Sequence, residues 1–191
     1  MQERIRITEV RTLSDDWYLL KKTTFDFQRK DGTWQTLSRE TYDRGNGAVI
    51  LLVNTSRRKV ILTRQFRFPA FVNGSGDGML LEACAGLLDE QDAVSAILRE
   101  TEEETGYRIR SVHQIFDAFM SRGSVTEPLH FFVAHYDPES RPSDGGGAGS
   151  EGEEIEVIEL GLDEAWKMMD RGEIRDGKTI ILLQYAKLQG W

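Results

Sequence analysis

Gly86-Leu87-Leu88-Asp89-Glu90-Gln91-Asp92-Ala93-Val94-Ser95-Ala96-Ile97-Leu98-Arg99-Glu100-Thr101-Glu102-Glu103-Glu104-Thr105-Gly106-Tyr107 is the stretch on which the fold of this 191-residue chain turns. Val94, Ile97, Leu98 and Thr101 recur at helical spacing and Gly106 is a natural stop, so a helix is expected from about Asp92 to Thr105. At about 100° per residue, Glu100, Glu103 and Glu104 fall in one arc, roughly 115° from that stripe. One face can therefore anchor in a core while three carboxylates point into a cleft. Such a trio repels itself unless protonated or neutralised. Hard, oxygen-preferring divalent cations relieve the repulsion, and Mg²⁺ suits a site where phosphates add ligands. Seen alone, E-x-x-E-E is more often a solvated helix face, with Arg99 only an i, i+4 partner of Glu103.

Outward from this segment, strands and helices are interspersed. Residues 3–29 alternate in strand fashion, and Lys30-Asp31-Gly32-Thr33 reads as a hairpin turn before a strand from Trp34 to Tyr42. Two short apolar runs, Gly47 to Val53 and Val60 to Phe68, read as buried strands, and Met79 to Cys84 as another. Val112 to Phe119, Leu129 to Tyr136 and Ile155 to Leu160 are further strands. Residues 138–154, rich in Gly, Ser, Asp, Glu and Pro, read as a mobile loop. Helices from about Leu162 to Arg171 and Lys178 to Leu188 follow. The order predicts an α/β class, a sheet flanked by helices. Residues 1–45 cannot make a core of their own. They are expected to form a β-strand layer on the domain of residues 46–191 or on a second subunit, an arrangement that often serves dimerisation.

Composition narrows the function. Hydrophobic residues at 39% and charged residues at 29% are ordinary for a soluble globular protein. The longest apolar run, Ala48 to Val53, is too short to span a bilayer, and the N-terminus has no apolar signal-type stretch. A single cysteine, Cys84, excludes an internal disulfide and fits a reducing compartment, so the cytoplasm is expected. Cys84 itself reads as a packing thiol. A net charge of −8 argues against nucleic acid or an anionic membrane as partner, but not against a small anion met by a local cluster of cations. His113, His130 and His135 lack ligand spacing, and no Ser-His-Asp arrangement, zinc spacing or P-loop is present.

The segment from Gly86 through Arg99-Glu100, Glu103-Glu104 and Gly106-Tyr107 resembles the box of the Nudix hydrolases, G-x5-E-x7-R-E-U-x-E-E-x-G-U, where U is a bulky apolar residue. Five fixed residues match by chance about once in a million starts at roughly 6% usage each, which sets this match apart from a surface acid cluster. The chain departs from the pattern in three ways. Twelve residues separate Gly86 from Arg99 instead of thirteen, Gln91 or Asp92 stands for the upstream Glu, and Thr101 replaces an apolar U. With Tyr42-Asp43-Arg44-Gly45-Asn46-Gly47, Arg64-Gln65-Phe66-Arg67, Cys84-Ala85-Gly86-Leu87-Leu88-Asp89 and Gly172-Glu173-Ile174-Arg175-Asp176-Gly177-Lys178, the resemblance extends to the ADP-ribose pyrophosphatase-like branch, nearest its bacterial GDP-mannose pyrophosphatases.

That resemblance implies an α/β/α sandwich with a mixed β-sheet, preceded by an N-terminal antiparallel β-strand layer, in a homodimer. It implies metal held by the Ala85 carbonyl, Glu100, Glu104 and Glu153, with Mg²⁺ as cofactor and Mn²⁺ as a substitute. Glu103 would help from beside them, and Glu151 would be the general base. Substrate contacts would come from Trp17, Arg39, Glu40, Arg67, Ala85, Gly86, Leu87, Glu104, Glu127, Glu153 and Lys178. Arg122 stands where the related loop carries Pro. The implied reaction is hydrolysis of a nucleoside diphosphate sugar, with GDP-mannose giving GMP and mannose 1-phosphate. ADP-ribose or another ADP-sugar is the alternative substrate, and a non-catalytic nucleotide-sugar sensor the alternative role.

Overall fold

The computed structural model of the protein describes residues 4–149 and 152–191. The chain divides into two compact units. One takes in the chain up to Asn46 together with Phe119–Pro128, and the other comprises Gly47–Ala118 and Leu129–Trp191. The short Phe119–Pro128 stretch thus folds with the N-terminal strands, from which it is distant in sequence.

The first unit is an antiparallel meander of β1 (Ile5–Asp15), β2 (Leu19–Gln28) and β3 (Trp34–Asp43). The long alternating stretch before residue 29 is two strands, broken at Asp16-Trp17-Tyr18. Gly32, with φ of +85°, closes the Asp-Gly turn between β2 and β3, a conformation that glycine adopts without a Cβ clash. Tyr42 at the end of β3 bridges to Val125, and its N–H donates to the Ser124 carbonyl at 2.7 Å. Among the described residues, no hydrophobic side chain of this unit is buried. Every residue of β1 is exposed.

The second unit is built on a seven-stranded mixed sheet. Its path runs β10 (Glu156–Gly161), β5 (Lys59–Phe66), β4 (Gly47–Asn54), β9 (Pro128–His135) and β8 (His113–Phe119). Strands β4 and β9 are parallel, while β5 pairs antiparallel with β4 and with β10. The expected single strand from Met79 to Cys84 is in fact two. The first, β6 (Met79–Glu82), pairs with β5, and the second, β7 (Cys84–Leu87), pairs with β4. Ala83 is the joint between them, and a change of partner strand leaves no mark in periodicity.

β4 is apolar without alternation because both of its faces are covered. Ala48, Ile50 and Leu52 join Ile97 and Phe132 in one core cluster, while Val49, Leu51 and Val53 join Phe131, Leu162, Leu182 and Leu183 in another. Helix α2 (Ala93–Thr105) covers the first face, and α3 (Leu162–Asp170) and α4 (Gly177–Leu188) the second. A one-turn helix, α1 (Phe68–Val72), follows β5, too short for a periodic signal. The result is an α/β/α layering. Burial of one large aliphatic side chain such as Ile97 contributes about 1.5–3 kcal/mol.

Candidate active site

Helix α2 starts where Asp92 accepts hydrogen bonds from the N–H groups of Val94 and Ser95, an N-cap worth about 1 kcal/mol. It stops at Gly106, whose φ of +76° is left-handed. In the connection before it, one residue shorter than the pattern, Asp89 adopts φ of +51°, a region that Asp tolerates better than most residues. The buried stripe of α2 is Ala96, Ile97, Thr101, Glu104 and Thr105, rotated from the expected one: Val94 is exposed and Leu98 only half-buried. Thr101 fits the apolar position because its hydroxyl donates to the Ile97 carbonyl at 2.6 Å.

This rotation separates the three carboxylates. Glu104 faces inward with 2% exposure, Glu100 is half-buried, and Glu103 stays near solvent. Burial raises Glu104 to about 8, assisted by the charges of Glu100 and Glu153 and opposed by the neighbouring Cys84 thiol and by Arg67. Burial also raises Glu100, with the Arg99 guanidinium opposing and Glu103, Glu153 and Asp89 reinforcing. Arg99 pairs with Glu100 at 2.8 Å, Glu103 at 3.0 Å and Asp89 at 3.3 Å, so it neutralises one side of the cluster. Glu104 Oε2 is buried with no hydrogen-bond partner among the described residues. The Cys84 thiol is pushed well up, first by burial and then by Glu104.

β7 forms the floor. Gly86 lies beneath Glu100, and a Cβ built on it would fall on the Glu100 carboxyl carbon. Ala85 precedes it and Leu87 follows, both in register with β4. The loop carrying Glu153 is anchored to the end of α2. Gly146 N–H donates to the Glu104 carbonyl at 2.9 Å, Gly147 N–H to the Glu103 carbonyl at 3.1 Å, and Arg141 Nε to the Thr105 carbonyl at 3.2 Å. These bonds satisfy carbonyls that every helix leaves orphaned at its C-terminus. The expected mobile loop is therefore stitched down along this part. Glu153 in turn accepts from Ala148 N–H at 3.0 Å, and Gly147, at φ of +80°, has no room for a Cβ beside its carboxylate. Glu151 lies outside the described residues.

On the same unit, Arg67 Nε donates to Glu82 Oε2 at 2.7 Å. Lys178 Nζ donates to Asp176 Oδ1 at 2.5 Å and lies 3.8 Å from Glu82 Oε1. Glu82 and Asp176 are residues that sequence reasoning passed over. Only Asp176 had a legible signal, an N-cap position before α4. In the first unit, Trp17 is 81% exposed in the β1–β2 turn, and Arg39 and Glu40 sit on exposed β3 positions. Glu127 is buried and held by Arg44, whose Nε and Nη2 both donate to its carboxylate. A separate hollow lined by Arg108, Arg110 and Arg141 is not a comparable site, because Arg108 is spent on Glu102 and Arg141 on backbone carbonyls.

The donor set fits a hard divalent cation in kind: carboxylates, a backbone carbonyl, and a buried orphan oxygen on Glu104. Among the described residues, however, no three His, Cys, Asp or Glu side chains already form a cage. Glu103 is held off by Arg99, and Glu153 by its own loop. No helix among the described residues is long and apolar enough to cross a membrane.

Comparison with known proteins agrees with this architecture. Residues 4–42 match the model of the GDP-mannose pyrophosphatase NudK N-terminal domain, and residues 43–183 that of the NUDIX domain. The chain is 54% identical over 191 residues to a GDP-mannose pyrophosphatase of Pectobacterium atrosepticum, covering 100% of this chain and 98% of that one. It is 46% identical over 190 residues to one from Cronobacter sakazakii, with 100% and 98% covered. It is 49% identical over 187 residues to one from Salmonella typhimurium, with 98% and 97% covered. A crystal structure of an ADP compounds hydrolase superposes with a TM-score of 0.70 at 18% identity, covering 98% of this chain and 96% of that chain, a likeness of fold. Nudix enzymes generally use divalent metal ions, in keeping with an acidic helix whose innermost oxygen lacks a partner. By its Nudix domain model and its full-length relatives, the chain belongs to the Nudix hydrolase family.

Proposed function

We propose that the protein hydrolyses the diphosphate of a nucleoside diphosphate sugar, with GDP-mannose as substrate and GMP and mannose 1-phosphate as products, in the presence of Mg²⁺. The observation that carries this reading is Glu104, a buried carboxyl with an orphan oxygen beside Glu100 on the family's signature helix. A buried carboxyl facing other carboxyls is costly as an isolated feature and becomes favourable when a cation joins it. The full-length relatives named for GDP-mannose support the choice of substrate.

Glu100, Glu104, Glu153 and the Ala85 carbonyl would hold the metal, and Mn²⁺ could replace Mg²⁺ there. When bound, the ion lowers the pKa of water and neutralises charge on the phosphates. Water attacks one phosphorus, the phosphoanhydride bond breaks, and the second phosphate leaves. Glu151 would accept the proton of that water. Gly86 lets Glu100 lie flat on β7, and Arg99 holds Glu103 and the outer side of Glu100 in place. Arg67 and Lys178 would receive phosphate oxygens. Trp17, Arg39, Glu40 and Glu127 are proposed for base and sugar, the exposed Trp17 indole suiting a stacking role. Buried, unpaired Cys84 supports a reducing compartment such as the cytoplasm.

The test is a Mg²⁺-dependent assay with GDP-mannose, ADP-ribose and ADP-glucose in parallel, products identified by mass. GMP and mannose 1-phosphate should dominate, and Glu104→Gln should cut turnover by orders of magnitude. Faster cleavage of an ADP-sugar would replace the substrate assignment, and no cleavage of any would refute the reading.

A further inference from the structure

Glu82 and Asp176 are carboxylates of the second unit that the chemistry above does not use, yet both are nearly inaccessible, at 4% for Glu82 and 9% for the Asp176 side chain. Burying a carboxylate is expensive unless charged partners and hydrogen bonds meet it, and leaving such a partner unmatched costs several-fold more than a surface change. Here each carboxylate has a principal cation, Arg67 for Glu82 and Lys178 for Asp176. Glu82, at the end of β6, takes Arg67 through Nε. The terminal nitrogens of Arg67 have no protein acceptor among the described residues, and the side chain is 39% exposed. Asp176 divides its oxygens: Oδ1 takes Lys178, and Oδ2 accepts from Thr179 N–H at 2.9 Å and Thr179 Oγ1 at 2.7 Å. The same Thr179 hydroxyl accepts from Ala83 N–H at 2.7 Å. One chain of bonds thus ties the first turn of α4 to the joint between β6 and β7, two residues before Ala85. Glu82 Oε1 also faces Lys178, so the two halves share a centre.

We propose that Glu82 and Asp176 are positioning residues that fix Arg67 and Lys178 as a pair of cations, with their remaining N–H donors turned outward to receive a diphosphate. The inference rests on the reaction proposed above and deepens it. Long cationic side chains lose rotamer entropy when immobilised. A buried anchor meets that cost during folding, before substrate arrives. Holding Arg67 by Nε is the arrangement that spares the fork of terminal nitrogens, which matches phosphate oxygens in pairs.

The experiment is a double-mutant cycle on Arg67→Ala and Glu82→Gln, with Lys178→Ala and Asp176→Asn as a parallel cycle. Glutamine and asparagine keep an acceptor oxygen and the side-chain shape, and thermal melts check that each variant is folded. Two quantities are read: KM and kcat for GDP-mannose, and the Kd of magnesium pyrophosphate by calorimetry. Glu82→Gln should raise KM and Kd about tenfold in the wild-type background and less than about twofold when Arg67 is already alanine, because it acts through that side chain. A purely structural role would give the same penalty in both backgrounds, and that result, or a wild-type protein that does not bind pyrophosphate, would overturn the proposal. Coupled Kd values in a protein that cleaves no nucleotide sugar would leave the positioning roles standing and remove the proposed function instead.

Discussion

Glu104 shows how far a single residue can depart from its expected setting. It belongs to the buried stripe of its helix, and burial moves its pKa from the ordinary 4.5 to about 8. Between those values the folded, metal-free protein retains a proton that the unfolded chain has released. The stability of the metal-free protein therefore falls as pH rises through this window. Melting in EDTA from pH 5 to pH 8 should show the decline, Glu104→Gln should flatten it, and added Mg²⁺ should oppose it by favouring the carboxylate. A slope unchanged in the Gln variant would locate the effect elsewhere. The identity of the acidic helix was plain in the residues, because Arg99, Glu100, Glu103, Glu104 and Gly106 keep fixed spacing. Which glutamate points inward was not. That rests on which side of the helix is buried, and Thr101 joins that side because its hydroxyl is satisfied by the Ile97 carbonyl.

At the scale of elements, β7 and α2 meet so closely that Gly86 is the only residue type that leaves Glu100 where it is. Gly86→Ala should lower kcat by about a hundredfold, the scale of an ångström-sized misplacement, with little change in the far-ultraviolet circular dichroism. Near-wild-type turnover would mean that Glu100 has another place to lie. Caps and apolar runs made most elements readable: Asp92 and Gly106 bracket α2, and the unbroken β4 announces a strand covered on both faces. The division at Ala83 was hidden, since β6 and β7 differ only in their partners. The Arg67–Glu82 pair was hidden for the same reason, as fifteen residues and a strand reversal separate the two. Composition correctly marked the described residues 138–149 and 152–154 as loop, but it carries no information on where glycine N–H groups dock, and so missed their attachment to α2.

For the whole molecule, β1 is an eleven-residue edge strand, exposed throughout, with Ile5, Ile7, Val10 and Leu13 among its solvent-facing apolar residues. A strand of that length with an unpaired edge calls for a cover. We propose a second copy of the chain as that cover, in which case light scattering after gel filtration should give twice the 21.8 kDa chain mass. Replacing Ile7 and Val10 by lysine should shift the species to a monomer; a wild-type monomer at micromolar concentration would rule the homodimer out. That residues 119–128 join the N-terminal strands could not be read from chain order, because the stretch interrupts the larger unit's own run between β8 and β9. One feature of the larger unit also gives the experimenter a gauge. Its only cysteine, Cys84, is buried in the cluster beneath the acidic helix and its thiol is pushed up by that burial, so a thiol reagent would reach it only through local opening of that packing. The alkylation rate would follow those openings, and magnesium held by Ala85, Glu100 and Glu104 as proposed should slow it.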